Sequence, residues 1–114
     1  MVPSSETENT ARARALAAAQ ISLADAVHYE VHHLVEQHRL VAEPARRNLA
    51  AAGVGLHALA NLLPLPKPHQ AIHTRSYTAA IILVTSTARP YGYSTMVATL
   101  EQVKHLLRTT GRFP

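Results

Sequence analysis

Apolar residues recur at helical spacing through much of the chain. The first such region covers residues 6–42, where one narrow face of a continuous helix would carry Leu16, Leu23, Val27, Leu34 and Val41. Ser5, with Glu8 three residues later, fits a capping box and places the helix start near residue 6. Pro44 ends or kinks this helix. The pattern predicts one amphipathic helix of unusual length.

Two more helices follow from the same kind of pattern. Residues 45–63 carry an apolar seam whose steps alternate between four and three residues. Residues 94–110 carry a similar stripe, and Gly111 provides its C-cap. Between these two regions, the alternating prolines of residues 64–68 predict a stiff, extended connector.

Residues 70–88 give conflicting signals. The β-branched residues around 77–87 favour a strand, whereas the apolar positions also fit a helical stripe. A lone strand has no neighbour to pair with unless another chain supplies one, so we prefer a helix. The chain is therefore predicted to be one all-α domain, residues 1–114, folded as a small up-down bundle of about four helices with a long first helix. The alternative is a helical hairpin plus a strand near 77–87 that pairs across a dimer.

Composition excludes several kinds of site. The chain has no cysteine, so disulfides, thiolate metal sites and cysteine nucleophiles are absent. The longest apolar run, Ala79 to Val84, is too short to span a bilayer as a helix. No basic segment followed by an apolar one marks a secretory signal. We therefore expect a cytoplasmic protein without a membrane span.

Charge is divided unevenly along the chain. Residues 1–43 carry six acids and three arginines, whereas residues 44–114 carry eight basic residues and one acid. This asymmetry favours electrostatic pairing within the chain or between chains, and the basic part could also meet a polyanion. The candidate nucleic-acid contacts are scattered rather than clustered, which makes this signal weak: Arg46, Arg47, Arg89 and Arg108.

The most distinctive stretch is residues 25–40, which holds four of the eight histidines. In a helix, the i, i+4 spacing of His28 and His32 could bring two imidazoles to one metal ion, with carboxylates interleaved. The same spacing also fits a solvated polar face. The candidate ligands for a divalent transition metal are His28, Glu30, His32, His33 and Glu36.

No nucleophile–base pair stands in a recognisable motif, so an enzyme is the less favoured interpretation. The leading hypothesis is a non-enzymatic interaction or assembly protein without a cofactor, which forms a homo-oligomer or docks on a protein partner. Its interface would be the apolar face of the long first helix defined above. The alternatives are a helical bundle that binds zinc or iron through residues 28–38, and an accessory protein that binds nucleic acid through its basic half.

Overall fold

Four α-helices and a two-stranded sheet make up the described part of the chain. The computed structural model describes residues 4–69 and 71–114. In chain order, the elements are α1 (Ser4–Ala18), β1 (Tyr29–His33), α2 (Glu43–Ala51), β2 (Leu62–Pro66), α3 (Arg75–Ala88) and α4 (Tyr93–Thr110). Single turns of 3₁₀-helix occupy several of the connections. The fold is therefore α+β.

The two strands form a two-stranded antiparallel sheet, called the hairpin below, in which Glu30 pairs with Leu65 and His32 with Leu63. Residues 34–61, which include α2, connect its two strands. The backbone N–H of Lys67 donates to the carbonyl of His28 at 2.8 Å. Backbone N–H groups along a strand point alternately towards and away from the neighbouring strand. The N–H groups of Leu65 and Leu63 therefore also point towards β1. Pro64 and Pro66 therefore lie at the outward positions, where a missing N–H group costs no ladder bond.

The hairpin lies between two layers of helix. On one face, the main core joins β2 to α2, α3 and α4 through residues that include Leu49, Ile81 and Leu100. On the other face, Ala11 and Ala15 of α1 pack against Leu62 and Val31. The hairpin is consequently covered on both sides, and its ends remain accessible.

The predicted all-α bundle is wrong, and so is the alternative strand near 77–87. A hairpin of residues 29–33 and 62–66 is present, and residues 77–87 are helical throughout α3. The helical preference for 70–88 is confirmed from Arg75 onward, while residue 70 lies outside the described residues. The predicted last helix, 94–110, is confirmed within one residue.

The predicted long first helix of residues 6–42 is also wrong. The helix ends at Ala18, and Gln20 takes a left-handed conformation with φ of 60°. The capping side chain of Ser5 lies outside the described residues. Likewise, the predicted helix 45–63 ends at Ala51, and Gly53 follows with φ of 79°. The predicted connector 64–68 is largely strand β2.

No helix within residues 4–69 and 71–114 combines the length and the apolar character needed to cross a membrane.

Candidate functional site

Two adjacent histidines at the end of β1 point to opposite faces of the hairpin. Side chains alternate along a strand, so Glu30 and His32 share one face and His33 lies on the other. All three are brought to one end of the molecule by a strand that ends at His33. This placement gives the neighbouring imidazoles two different environments.

A compact donor cluster forms on the face of His32. His69, from the segment after β2, places its Nε2 2.8 Å from His32 Nε2 and 2.9 Å from Glu30 Oε1. Glu30 Oε1 and His32 Nε2 are 3.9 Å apart. The three ligand atoms all lie within 4.8 Å of one another, and this is the set among the described residues that could hold a metal ion.

The chemistry of this cluster suits a divalent metal ion. A point about 2 Å from each of the three atoms exists, and this matches the usual length of metal–imidazole and metal–carboxylate bonds. Two imidazoles and one carboxylate leave coordination positions for water or substrate, as catalytic sites require. The donor set therefore fits an open metal site rather than a closed structural one.

Burial favours the neutral form of His32. Burial, followed by the nearby positive charge that His69 can carry, lowers the pKa of His32 from 6.5 to about 4. The hydrogen bond from His69 holds the pKa of Glu30 below its usual value. At neutral pH, His32 thus offers a lone pair and Glu30 a negative charge, which are the forms that bind cations.

His73 lies beside this cluster and is fixed by the loop that follows β1. Its Nε2 donates to the backbone carbonyl of His33 at 2.8 Å, and its Nδ1 is 3.8 Å from Glu36 Oε1. Arg39 contacts the same carboxylate at 3.4 Å and the carbonyl of His73 at 3.3 Å. A surface cavity of about 340 Å³ opens here and is bordered by His32, His33, Glu36, Arg39 and His73, among others.

His33, on the opposite face, contacts a different histidine. Its Nε2 lies 3.0 Å from Nδ1 of His57, which comes from the turn between α2 and β2. Burial, and then the charge that His57 can carry, lower the pKa of His33. The carboxylate of Glu8 on α1 acts in the opposite direction and favours the protonated form. A neutral, half-buried imidazole at the cavity is well suited to accept a proton.

Asn61 holds the segment that carries these histidines. Its side chain is fully buried, accepts from the N–H of Val35 at 2.9 Å and donates to the carbonyl of Leu56 at 2.9 Å. Its backbone carbonyl accepts from the N–H of Leu34 at 2.9 Å. One residue thus ties the end of β1 to the turn that carries His57.

A comparison with protein families shows which family the chain belongs to. Residues 15–109 match the family AHH, a nuclease family of the HNH/ENDO VII superfamily with a conserved Ala-His-His motif. The chain belongs to this family. The one adjacent His-His pair in the chain is His32–His33, and Val31 rather than alanine precedes it. No curated protein and no solved structure matches the chain.

Membership of the AHH nuclease family overturns the predicted function. A non-enzymatic interaction or assembly protein is the wrong interpretation, because the family is one of enzymes that act on nucleic acid. The description as a helical bundle for protein–protein interaction is wrong for the same reason and because of the hairpin. The predicted homo-oligomer or protein partner stays a prediction.

The predicted metal ligands separate in the structure. Glu30 and His32 lie in the donor cluster, and His33 lies next to it on the other face. Glu36 borders the cavity beside His73 rather than joining the cluster. His28 is exposed and lies outside the cluster.

The predicted interface residues do not form one apolar face. Leu16 is buried on α1 and Leu34 is buried in the loop directly after β1, whereas Leu23, Val27 and Val41 are exposed in connections. Their common face depended on a continuous helix over residues 6–42, which the chain does not form.

The predicted nucleic-acid contacts have several separate environments. Arg46 donates to the carbonyls of Glu36 and Arg39, both at 2.8 Å, and so supports the loop at the cavity. Arg47 pairs with Glu43 at 3.9 Å, and Arg89 contacts Asn48 at 3.2 Å. Arg108 borders a groove between α1 and α4.

Four residues of the site were missed by the sequence reasoning: His57, Asn61, His69 and His73. A usable signal was the pair His69 and His73, spaced i, i+4 directly after the proline-rich stretch. Because that stretch was interpreted as a linker, the two histidines that follow it were not predicted to be ligands. Asn61 gives no signal by composition, because its role depends on contacts with a segment 26 residues away.

Proposed function

We propose that this protein is a metal-dependent nuclease that hydrolyses phosphodiester bonds in nucleic acid. The observation that carries the proposal is the cluster of Glu30, His32 and His69 next to His33, in a chain that belongs to a nuclease family. In this proposal, the face of β1 that carries Glu30 and His32 binds the metal ion, and the opposite face, which carries His33, provides the group that accepts a proton.

The metal-binding residues are His32, His69 and Glu30. A divalent ion held there would supply positive charge near the phosphate and near the negative charge that develops in the transition state. His73 and Glu36 lie at the edge of the same cavity, and His73 is oriented by its hydrogen bond to the carbonyl of His33. This surrounding layer keeps the ligand segment in place.

His33 acts as the general base. It takes a proton from a water molecule, and the oxygen of that water forms a bond to phosphorus. The bond from phosphorus to the leaving sugar oxygen breaks, and that oxygen takes a proton from solvent. Because its pKa is lowered, His33 is in the neutral form at physiological pH and is ready to accept the proton.

Positive charge near the cavity favours a polyanionic substrate. Arg39 borders the cavity, and about half of its side chain is exposed at 54%. The chain as a whole carries a net charge of +4 at pH 7. Arg39 is therefore placed to contact a backbone phosphate next to the one that is cleaved.

The test is cleavage of plasmid DNA, single-stranded DNA and RNA by untagged protein with added Mg²⁺, Mn²⁺ or Zn²⁺. We expect cleavage of at least one substrate, its loss in EDTA and its return when the metal is restored. His32→Ala should lower the rate by at least about 100-fold, because it removes a ligand outright.

The matched control is His105→Ala. His105 is exposed on α4 and contacts none of the site residues described above, so this variant should retain wild-type activity. Absence of cleavage with every metal and substrate, or equal activity of His32→Ala and wild type, would rule out the proposal.

A further inference from the structure

The contact between His33 and His57 gives the proposed base a defined partner. The two rings meet edge to face, with centroids 5.1 Å apart and planes at 78°, and their nitrogens are 3.0 Å apart. Both side chains are half-buried. Among the residues that the structure describes, this is the one hydrogen bond made by the side chain of His33. Its direction therefore decides which nitrogen of His33 carries the proton.

We propose that His57 is a positioning residue for His33, accepting a hydrogen bond from its Nε2–H and so leaving the basic lone pair on Nδ1. This inference rests on the proposed function, since it assigns the tautomer of the proposed base.

The number of protons on a neutral imidazole favours this direction of the hydrogen bond. A neutral imidazole has one N–H group and one lone pair. If His57 donated to His33, its proton would occupy the lone pair of Nε2, and Nδ1 of His33 would already be protonated, so no basic nitrogen would be free. If His33 donates instead, Nδ1 is free to take a proton from water. The resulting imidazolium still donates through Nε2 to His57, so the contact survives proton transfer.

The turn that carries His57 is held firmly enough for this role. The N–H of Ala58 donates to the carbonyl of Gly55 at 3.0 Å, and the amide of Asn61 donates to the carbonyl of Leu56 at 2.9 Å. Asn61 also holds Val35, two residues after His33. The two histidines therefore lie on segments fastened to the same buried side chain, which limits their relative movement.

Two substitutions separate positioning from mere packing. His57→Leu keeps a side chain of similar bulk but removes the acceptor, and His57→Asn places an amide oxygen near the position of Nδ1. We expect His57→Leu to lower kcat by about 10- to 100-fold, with little change in KM. The affinity for Mn²⁺ should not change, because His32, His69 and Glu30 are untouched. His57→Asn should restore most of the lost kcat.

A spectroscopic measurement tests the tautomer directly. Long-range ¹H–¹⁵N spectra of histidine-labelled wild-type protein should show His33 as the Nε2–H tautomer at pH 7.5, and His57→Leu should shift it towards a mixture. A wild-type Nδ1–H tautomer would overturn the inference, as would kcat values of His57→Leu and wild type that agree, or an Asn variant no better than Leu.

The spectra need no catalytic activity, so failure of the proposed function and failure of this inference can be told apart. If wild type cleaves no nucleic acid, the tautomer is still decided. If His57→Leu does not fold, the wild-type tautomer and the kcat of His57→Asn remain decisive.

Discussion

At the scale of single residues, the site depends on which partner each imidazole contacts. His32 and His33 are neighbours in the chain, yet one meets His69 and Glu30 while the other meets His57. The alternation of side chains along β1 causes this division. Buried polar groups keep the division in place, and Asn61 is the most connected of them.

Asn61→Ala should lower the free energy of unfolding by about 3 kcal/mol. The substitution leaves the N–H of Val35 and the carbonyl of Leu56 in the interior without their partner, and each such loss is costly. Urea unfolding followed by circular dichroism measures the change. The control is Asn9→Ala on the exposed face of α1, which should change stability by less than about 0.5 kcal/mol. A loss for Asn61→Ala as small as that of the control would contradict the anchoring role.

At the scale of elements, the hairpin is what converts a histidine-rich segment into a site. β1 carries Glu30, His32 and His33, and β2 leads directly into the segment that carries His69 and His73. The prolines of β2 are compatible with a strand because they occupy only outward positions. They also prevent a further strand from pairing at that edge, which leaves the hairpin two-stranded.

Lys67→Pro should therefore be less stable than Lys67→Ala by about 1 kcal/mol. Both variants lose the exposed contact from Nζ to the carbonyl of Val27, but only the proline variant also loses the backbone donor to His28. The difference in the free energy of unfolding between the two variants, measured by urea titration, reports the loss of that backbone bond together with the fixed φ of proline. Equal stability of the two variants would show that the inward and outward positions of β2 are assigned incorrectly.

At the scale of the whole molecule, the chain belongs to the AHH nuclease family, and α1 lies largely before the matched residues. The family match begins at residue 15, so most of α1 precedes it. In this chain α1 covers one face of the hairpin and brings Glu8 within 3.9 Å of His38, on the side where His33 lies. Several titratable groups therefore lie close together at the accessible end of the hairpin. Their protonation makes the stability of the fold depend on pH.

Metal-free protein should lose stability as the pH falls from about 6.5 towards 4. His32 has a pKa of about 4 in the folded state, against 6.5 for a free imidazole. Between these values the unfolded chain binds a proton that the folded chain excludes, so acid favours unfolding; below about pH 4 both states are protonated and this loss ends. The contribution of His32 is at most about 3 kcal/mol.

Urea titrations in EDTA between pH 4 and pH 7.5 measure this loss. In the variant His32→Leu the pH slope should be smaller than in wild type, because the titrating group is gone. An identical slope for both proteins would mean that His32 does not carry the effect.

The sequence by itself determined the C-terminal half of the helical structure and part of the ligand set. α4 follows from local apolar periodicity and its C-cap glycine, which act over one or two turns and need no distant partner. For α3 the local signals conflicted, and the helix was preferred because a lone strand has no neighbour to pair with. Glu30 and His32 were predicted as candidate ligands because they lie in residues 25–40, where histidines and carboxylates are interleaved at close spacing. The absence of cysteine also excluded thiolate metal sites from the start.

Only the tertiary structure decided that residues 29–33 are a strand. The helical stripe from Leu16 to Val41 was a coincidence of spacing, since pairing of residues 29–33 with residues 62–66, 29 to 37 positions away, outweighs local propensity. That pairing also brings His69 and His57 to the two faces of β1. A site assembled from segments distant in sequence leaves no local pattern to read, because its ligands share a location only after the chain has folded.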